Sequence, residues 1–332
     1  MKKLRWLVLL LLSILLVAAA CGGDDEGEGE EQAQTGTDTV DLTQGGDLTI
    51  AVVTHGGVGD AFWDVVKKGA EQAGSDLGVT VNYQGDGDAA RQAGLIDTAV
   101  TQNVDGLVVS MANPDALEES IRGAVDAGIP VITINSGEDR SAEFGAITHV
   151  GQNESIAGQQ AGARLADEGV TKLLCVVHEE GNVGLEQRCA GATEGLGGEV
   201  ENFQVPGTDD IPGTTEQLTA KLQSDSSIDG VLTLNAAIGV ATLDAKEGSG
   251  SQAQVATFDL SGDAVDAIEA GDMLFAIDQQ QYLQGYLPVV FLALYKNNLN
   301  TVGGGLPVLT GPGFVTQENA ADIKELAEAG TH

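Results

Sequence analysis

Ten short apolar runs recur along the chain after residue 46, and most are separated from the next by an Ala-rich amphipathic stretch. They are LTIAVV at 48–53, VTVNYQ at 79–84, GLVVSM at 106–111, PVITIN at 130–135 and AITHVG at 146–151, then KLLCVV at 172–177, VENFQV at 200–205, GVLTLN at 230–235, QVATFD at 254–259 and LFAID at 274–278. Runs this short and β-branched read as strands, while AFWDVVKKGAEQAGSDLG and PDALEESIRGAVDAG carry the spacing of amphipathic helices. Gly78 and Gly128 fall where helices should stop, and Asn113-Pro114-Asp115 opens one. Alternation of strand and helix leaves few choices. Parallel strands need a crossover, the crossover is right-handed, and the helices then cover the sheet. Two successive sets of such units, 47–151 and 152–279, are each of domain size. The fold class is therefore read as α/β, with two Rossmann-like, doubly wound parallel-sheet lobes.

The beginning of the chain reads differently. MKKLRW is basic, LVLLLLSILLVAAA is apolar and ends in small residues, and Cys21 follows, so residues 1–20 are expected to be a secretory signal. LVAAAC resembles the lipobox of bacterial lipoproteins, which implies a lipid on Cys21 and a protein held at the outer face of the cytoplasmic membrane or in the periplasm. From Cys21 to residue 46 the chain is rich in Gly and acids and poor in large apolar residues, the composition of a disordered tether. The formal net charge of −35 would repel nucleic acid and anionic headgroups, so no nucleic-acid partner is expected.

Two cysteines remain in the body, Cys175 in a strand and Cys189 near the start of the next helix. A bridge between them is compatible with this placement in an exported chain, and two buried free thiols are the alternative. The spacing gives neither a CxxC motif nor a zinc knuckle.

Catalytic signatures are scarce. The body contains no G-x-S-x-G, no G-x-x-x-x-G-K-[ST], no H-E-x-x-H and no G-x-G-x-x-G, and His55, His149, His178 and His332 do not pair at metal-ligand spacing. No cofactor or metal is expected. What accumulates instead is polar side chains at strand ends: Asn135 and Ser136, Asn235, Asp259, then Asp278 and Gln279. Turn chemistry explains any one of these. Together they offer paired donors and acceptors at the sheet edge where open α/β sheets bind ligands, a set that suits the adjacent hydroxyls of a sugar. Phe62 and Trp63, at the first helix start, could supply an apolar platform or plain core.

The order of DAFWDVVKKGAEQAG, DGLVVSMANPDAL, GIPVITINSG, HVGQNESIAGQQAG, EQRCAGA, DGVLTLNAA, VATFDLS, FAIDQQQYLQGY and LTGPGFVT resembles the type I periplasmic solute-binding proteins of the ribose- and galactose-binding kind, from about residue 48 to 318. The resemblance implies capture of a monosaccharide or polyol between the lobes, delivery to an ABC transporter permease, no enzyme activity and a monomer. It implies a hinge crossed three times, with 47–151 and 280–308 forming one lobe and 152–279 and 309–332 the other. Phe62 and Trp63 stand where that family sandwiches its sugar, with Asp60 in the same loop and Ser110 after the third strand. Arg188, Asn235, Asp259 and Gln279 match its second-lobe and hinge contacts, and Arg188 is expected to pair with Asp259. Where the family carries an Asp-Arg pair this chain has Asn135-Ser136, so one charged clamp is missing.

Three other readings use the same features. A sensor for chemotaxis or quorum signalling shares the lobes. An exported sugar hydrolase would use Asp259 and Asp278 as its carboxylate pair. A lactose-repressor-like regulator would carry a helix-turn-helix where this chain has a signal.

Overall fold

The computed structural model describes residues 47–57 and 59–332, so the signal segment, Cys21 and the tether lie outside the described residues. All ten predicted strands form. The first group runs β1 (Thr49–Thr54), α1 (Ala61–Leu77), β2 (Thr80–Gly85), α2 (Ala89–Thr101), β3 (Gly106–Ser110), α3 (Pro114–Asp126), β4 (Val131–Ile134), α4 (Glu138–Ser141) and β5 (Thr148–Gln152). The second runs α5 (Glu154–Asp167), β6 (Lys172–Val177), α6 (Val183–Leu196), β7 (Glu199–Gln204), α7 (Ile211–Ser224), β8 (Gly230–Thr233), α8 (Ala236–Ser249), β9 (Gln254–Phe258), α9 (Gly262–Ala270) and β10 (Phe275–Asp278). After them come α10 (Gln281–Asn298), β11 (Val308–Gly311), β12 (Gly313–Thr316) and α11 (Ala320–Glu328).

The strands build two six-stranded sheets with the same winding, β11-β5-β4-β3-β1-β2 and β12-β10-β9-β8-β6-β7. Every pairing is parallel except β10 with β12. Central strands are buried on both faces, which is why β3, β4 and β8 read as unbroken apolar runs without alternation. The chain leaves the first sheet after β5 and the second after β10, where α10 returns to cover the first sheet with Val289, Leu292 and Ala293. Pro288 lies in the interior of α10. A third passage comes at Gly311-Pro312, because β11 still pairs with β5 while β12 pairs with β10. The passage thus falls after β11 and not near residue 308, where the resemblance implies it.

Close helix contacts fix what the site receives. Helices α5 and α6 meet along Gly158, Gly162, Gly191 and Gly195, and a Cβ on Gly158 would lie 2.1 Å from the Arg188 carbonyl oxygen. Only glycine permits that approach, and it sets the start of α5 beside the Arg188 side chain. Cys175 of β6 and Cys189 of α6 are joined in a disulfide with Cα atoms 5.9 Å apart, inside the apolar core of the second lobe.

Candidate functional site

Helix starts crowd the strand ends at the cleft. Asp60, Asn113, Asn182, Asn235 and Ser261 each cap a helix by accepting a backbone N–H, and all five line a cavity of about 840 Å3 between the lobes. At its base lies a chamber of about 30 Å3 that shares His55, Asp60, Phe62, His178, Glu179, Asn182, Asn235 and Asp259 with the larger space. Asn135, Ser136, Trp63, Arg188 and Gln279 join the lining there. Nine of the eleven residues singled out from the sequence thus meet at one base, where residues from both lobes face each other; Ser110 and Asp278 do not.

Ser110 sits behind the cleft wall. It is fully buried and does not line either space. Its hydroxyl accepts the His55 main-chain N–H at 2.9 Å and lies 2.7 Å from His55 Nδ1. A hydroxyl that donates to Nδ1 satisfies both groups, and the imidazole then carries its proton on Nε2.

The aromatic pair also departs from a simple sandwich. Phe62 and Trp63 stand edge to face, with centroids 5.0 Å apart and planes at 76°, so the two rings cannot both lie flat on one ligand face. Phe62 lines both spaces, while Trp63 reaches only the chamber and packs its ring against His55 at 4.6 Å.

Arg188 does not pair with Asp259. Its Nε and Nη2 donate to the two carboxylate oxygens of Glu154 at 2.6 and 2.9 Å, and Nη1 donates to the Leu234 carbonyl at 3.2 Å. Both members are about 97% buried, and the Gln152 amide donates to Glu154 as well. The guanidinium lies over the Phe258 ring at 4.5 Å, which fixes its plane. Three of its five N–H donors are committed to the protein, leaving two for the chamber. Glu154 is the partner that sequence reasoning missed: it follows the Asn153 cap and reads as an ordinary first-turn acid.

Asp259 accepts from Gln279 Nε2, whose Oε1 in turn accepts from Asn135 Nδ2 at 3.2 Å and Gln284 Nε2 at 2.9 Å. Burial pushes the Asp259 carboxyl up to about 7 despite Arg188 and the Gln279 bond, which pull the other way. Asp60 is raised by burial too, against two backbone N–H groups. Asn135 and Asp259 both have positive φ, 62° and 70°, a conformation that Asn and Asp tolerate better than other side chains. Asp278 lies outside the lining of both spaces, with Oδ1 accepting from the Gln280 N–H and Oδ2 lying 2.8 Å from His332 Nε2. That removes the carboxylate pair a hydrolase would need.

Glu179, His55 and His178 were not among the expected site residues, yet all three line the base. Burial holds His178 down to about 4 and lowers His55 as well, so both imidazoles are neutral at pH 7. For Glu179 burial acts upward, but His55, His178, the Asn182 amide and Arg188 together keep it below the ordinary value. Among the described residues no cluster of three or more His, Cys, Asp or Glu could hold a metal ion, and no helix is long and apolar enough to cross a membrane.

Comparison with known proteins agrees with this architecture. A carbohydrate transporter from Acidothermus cellulolyticus, solved in complex with myo-inositol, is 44% identical, covers 86% of this chain and 100% of its own, and superposes with a TM-score of 0.85. The ribose import binding protein of Bacillus subtilis is 26% identical over 237 residues, 68% of this chain and 74% of that one. The xylose/arabinose-binding protein of Sulfolobus acidocaldarius is 24% identical over 260 residues, 72% of this chain, and the match spans 64% of that relative's length. The periplasmic binding protein domain family matches residues 50–298, and the chain belongs to that family.

Proposed function

We propose that this protein is an exported receptor that captures a neutral monosaccharide or cyclic polyol between its lobes and presents it to an ABC-type permease, held at the membrane by a lipid on Cys21. One observation carries the ligand class. Among the described residues the chamber's only guanidinium is already neutralised by Glu154, and the remaining acids that line it, Asp60, Glu179 and Asp259, are hydroxyl acceptors with no other cation in the lining. A phosphate or carboxylate ligand would meet those acids with no compensating charge, whereas a hydroxyl donates to each. The myo-inositol of the A. cellulolyticus protein has this chemistry, and that protein shares 44% identity with this chain. Lobe closure on the ligand would form the surface that a permease reads. The test is thermal unfolding of residues 47–332 against monosaccharides, cyclitols and their phosphorylated forms, since a ligand that binds only the native state raises the melting temperature. A neutral polyol should raise it and its phosphate should not. No riser among the neutral compounds would refute the reading.

A further inference from the structure

The two lobes repeat one winding, and the repeat places two histidines in equivalent seats. Ile50 of β1 lies opposite Gly106, and Leu173 of β6 lies opposite Gly230, so His55 and His178 each stand five residues beyond the matched position, just past the end of the strand. Both face Glu179. His55 Nε2 is 3.7 Å from Glu179 Oε2, and His178 Nε2 is 3.7 Å from Glu179 Oε1.

Those separations are too long for a direct hydrogen bond, yet an oxygen about 2.8 Å from both atoms of such a pair fits between them. Glu179 is otherwise held by one bond, from Asn182 Nδ2 to Oε2 at 2.6 Å, and its side chain is about one-third exposed to the cleft. With the Ser110 hydroxyl donating to Nδ1, the His55 proton sits on Nε2, the atom that faces Glu179. His178 Nδ1 is buried without a partner, on a side chain 7% exposed that lines both spaces. No protein partner therefore holds the His178 proton on Nδ1, and Nε2 can carry it toward Glu179.

We propose that Glu179, flanked by His55 from one lobe and His178 from the other, reads two adjacent hydroxyls of the ligand. Each hydroxyl donates to one carboxylate oxygen and accepts from the imidazole beside it. The ligand is then a polyol with a vicinal diol, and the diol itself joins the lobes, because His55 and Glu179 belong to different sheets. This rests on the polyol reading above and specifies which part of the polyol is recognised.

Calorimetric titration of the wild type with myo-inositol, D-ribose and D-arabinose comes first, followed by variants titrated with the tightest of the three. His55→Asn keeps an amide near Ser110 and deletes the donor facing the cleft, whereas His55→Gln carries a donor near the Nε2 position. Glu179→Gln should weaken binding about 10- to 100-fold, His55→Asn similarly, and His55→Gln less. A probe lacking one of the two hydroxyls should lose affinity in the wild type and lose little more in Glu179→Gln. Unliganded melting curves separate this from misfolding, and His178→Gln supplies a second entry to the same arrangement. Wild-type affinity in Glu179→Gln and His55→Asn would overturn the diol assignment while leaving the receptor reading intact. No binding of any probe by the wild type would instead overturn the receptor reading.

Discussion

Replacing Glu154 with Leu should unfold the second lobe far more readily, although residue 154 is not on the cleft surface. In the native protein the Arg188 guanidinium donates twice to Glu154, at 2.6 and 2.9 Å, with both side chains almost wholly buried. Removing one member of a buried pair leaves the other charge desolvated and unpaired, at a cost of about 3–5 kcal/mol. Here two of the five guanidinium donors lose their acceptor and only the Leu234 carbonyl remains bonded. With an unfolding entropy of roughly 0.6 kcal/mol/K for a body of this length, the melting temperature should fall by about 5–8 °C. The double replacement Glu154→Leu with Arg188→Met removes both charges and should recover most of the loss, because a well-packed apolar pair is close to neutral in stability. Urea unfolding followed by circular dichroism reads all three proteins. A single variant that loses less than about 1 kcal/mol, or a double variant as unstable as the single, would refute the buried pair as the element that holds Arg188.

Asp259 and the disulfide give two more tests. The Asp259 carboxyl titrates near 7 in the folded protein and near 3.8 otherwise, so the native state holds the extra proton between those values and stability falls as pH rises through the window. Asp259→Asn should therefore melt higher than the wild type at pH 8 and alike at pH 4, by melting curves across that range; parallel curves would contradict the raised carboxyl. The Cys175–Cys189 bridge closes a loop of sequence separation 14, and its reduction should cost about 3 kcal/mol of stability. An unchanged urea midpoint in dithiothreitol, with both thiols titrated as free, would remove the bridge as a stabilising element.

The sheets were legible because parallel strands buried on both faces are written as β-branched runs, and because caps such as Asn113 and stops such as Gly78 mark the intervening helices. Strand ends likewise announced Asn135, Asn235, Asp259 and Gln279, since winding alone brings those ends to one crevice. Partnership was not legible. Glu154 and Arg188 are 34 residues apart, and only the glycine-lined approach of α5 and α6 decides that the arginine turns to Glu154 and away from Asp259. LTGPGFVT hid a change of sheet, because edge pairing is settled by what lies alongside and not by the four residues of β11 themselves. His55 and His178 read as loop residues one at a time; their equivalence emerges from strand register, and neither has a sequence neighbour that reveals it.

Register also relates Gln279, which lines the base, to Gln152. Asn135 N–H donates to the Val150 carbonyl and Asp259 N–H to that of Ile277, so Gln152 and Gln279 occupy matching places two residues further on. Gln152, the last residue of β5 in the first sheet, spends its amide on Glu154 at the start of α5 and thereby steadies Arg188. Gln279 bonds a side chain of each lobe at once: its Oε1 accepts from Asn135 of the first lobe while its Nε2 donates to Asp259 of the second. These bonds lie in a buried, poorly solvated place, where breaking either leaves an amide or a carboxylate unpaired. A lobe rotation that pivots at Gln279 keeps both, and one that pivots elsewhere sacrifices one of them. A ligand that bonds Asp259 or Asn135 would then act on the same side chains that tie Gln279 to both lobes.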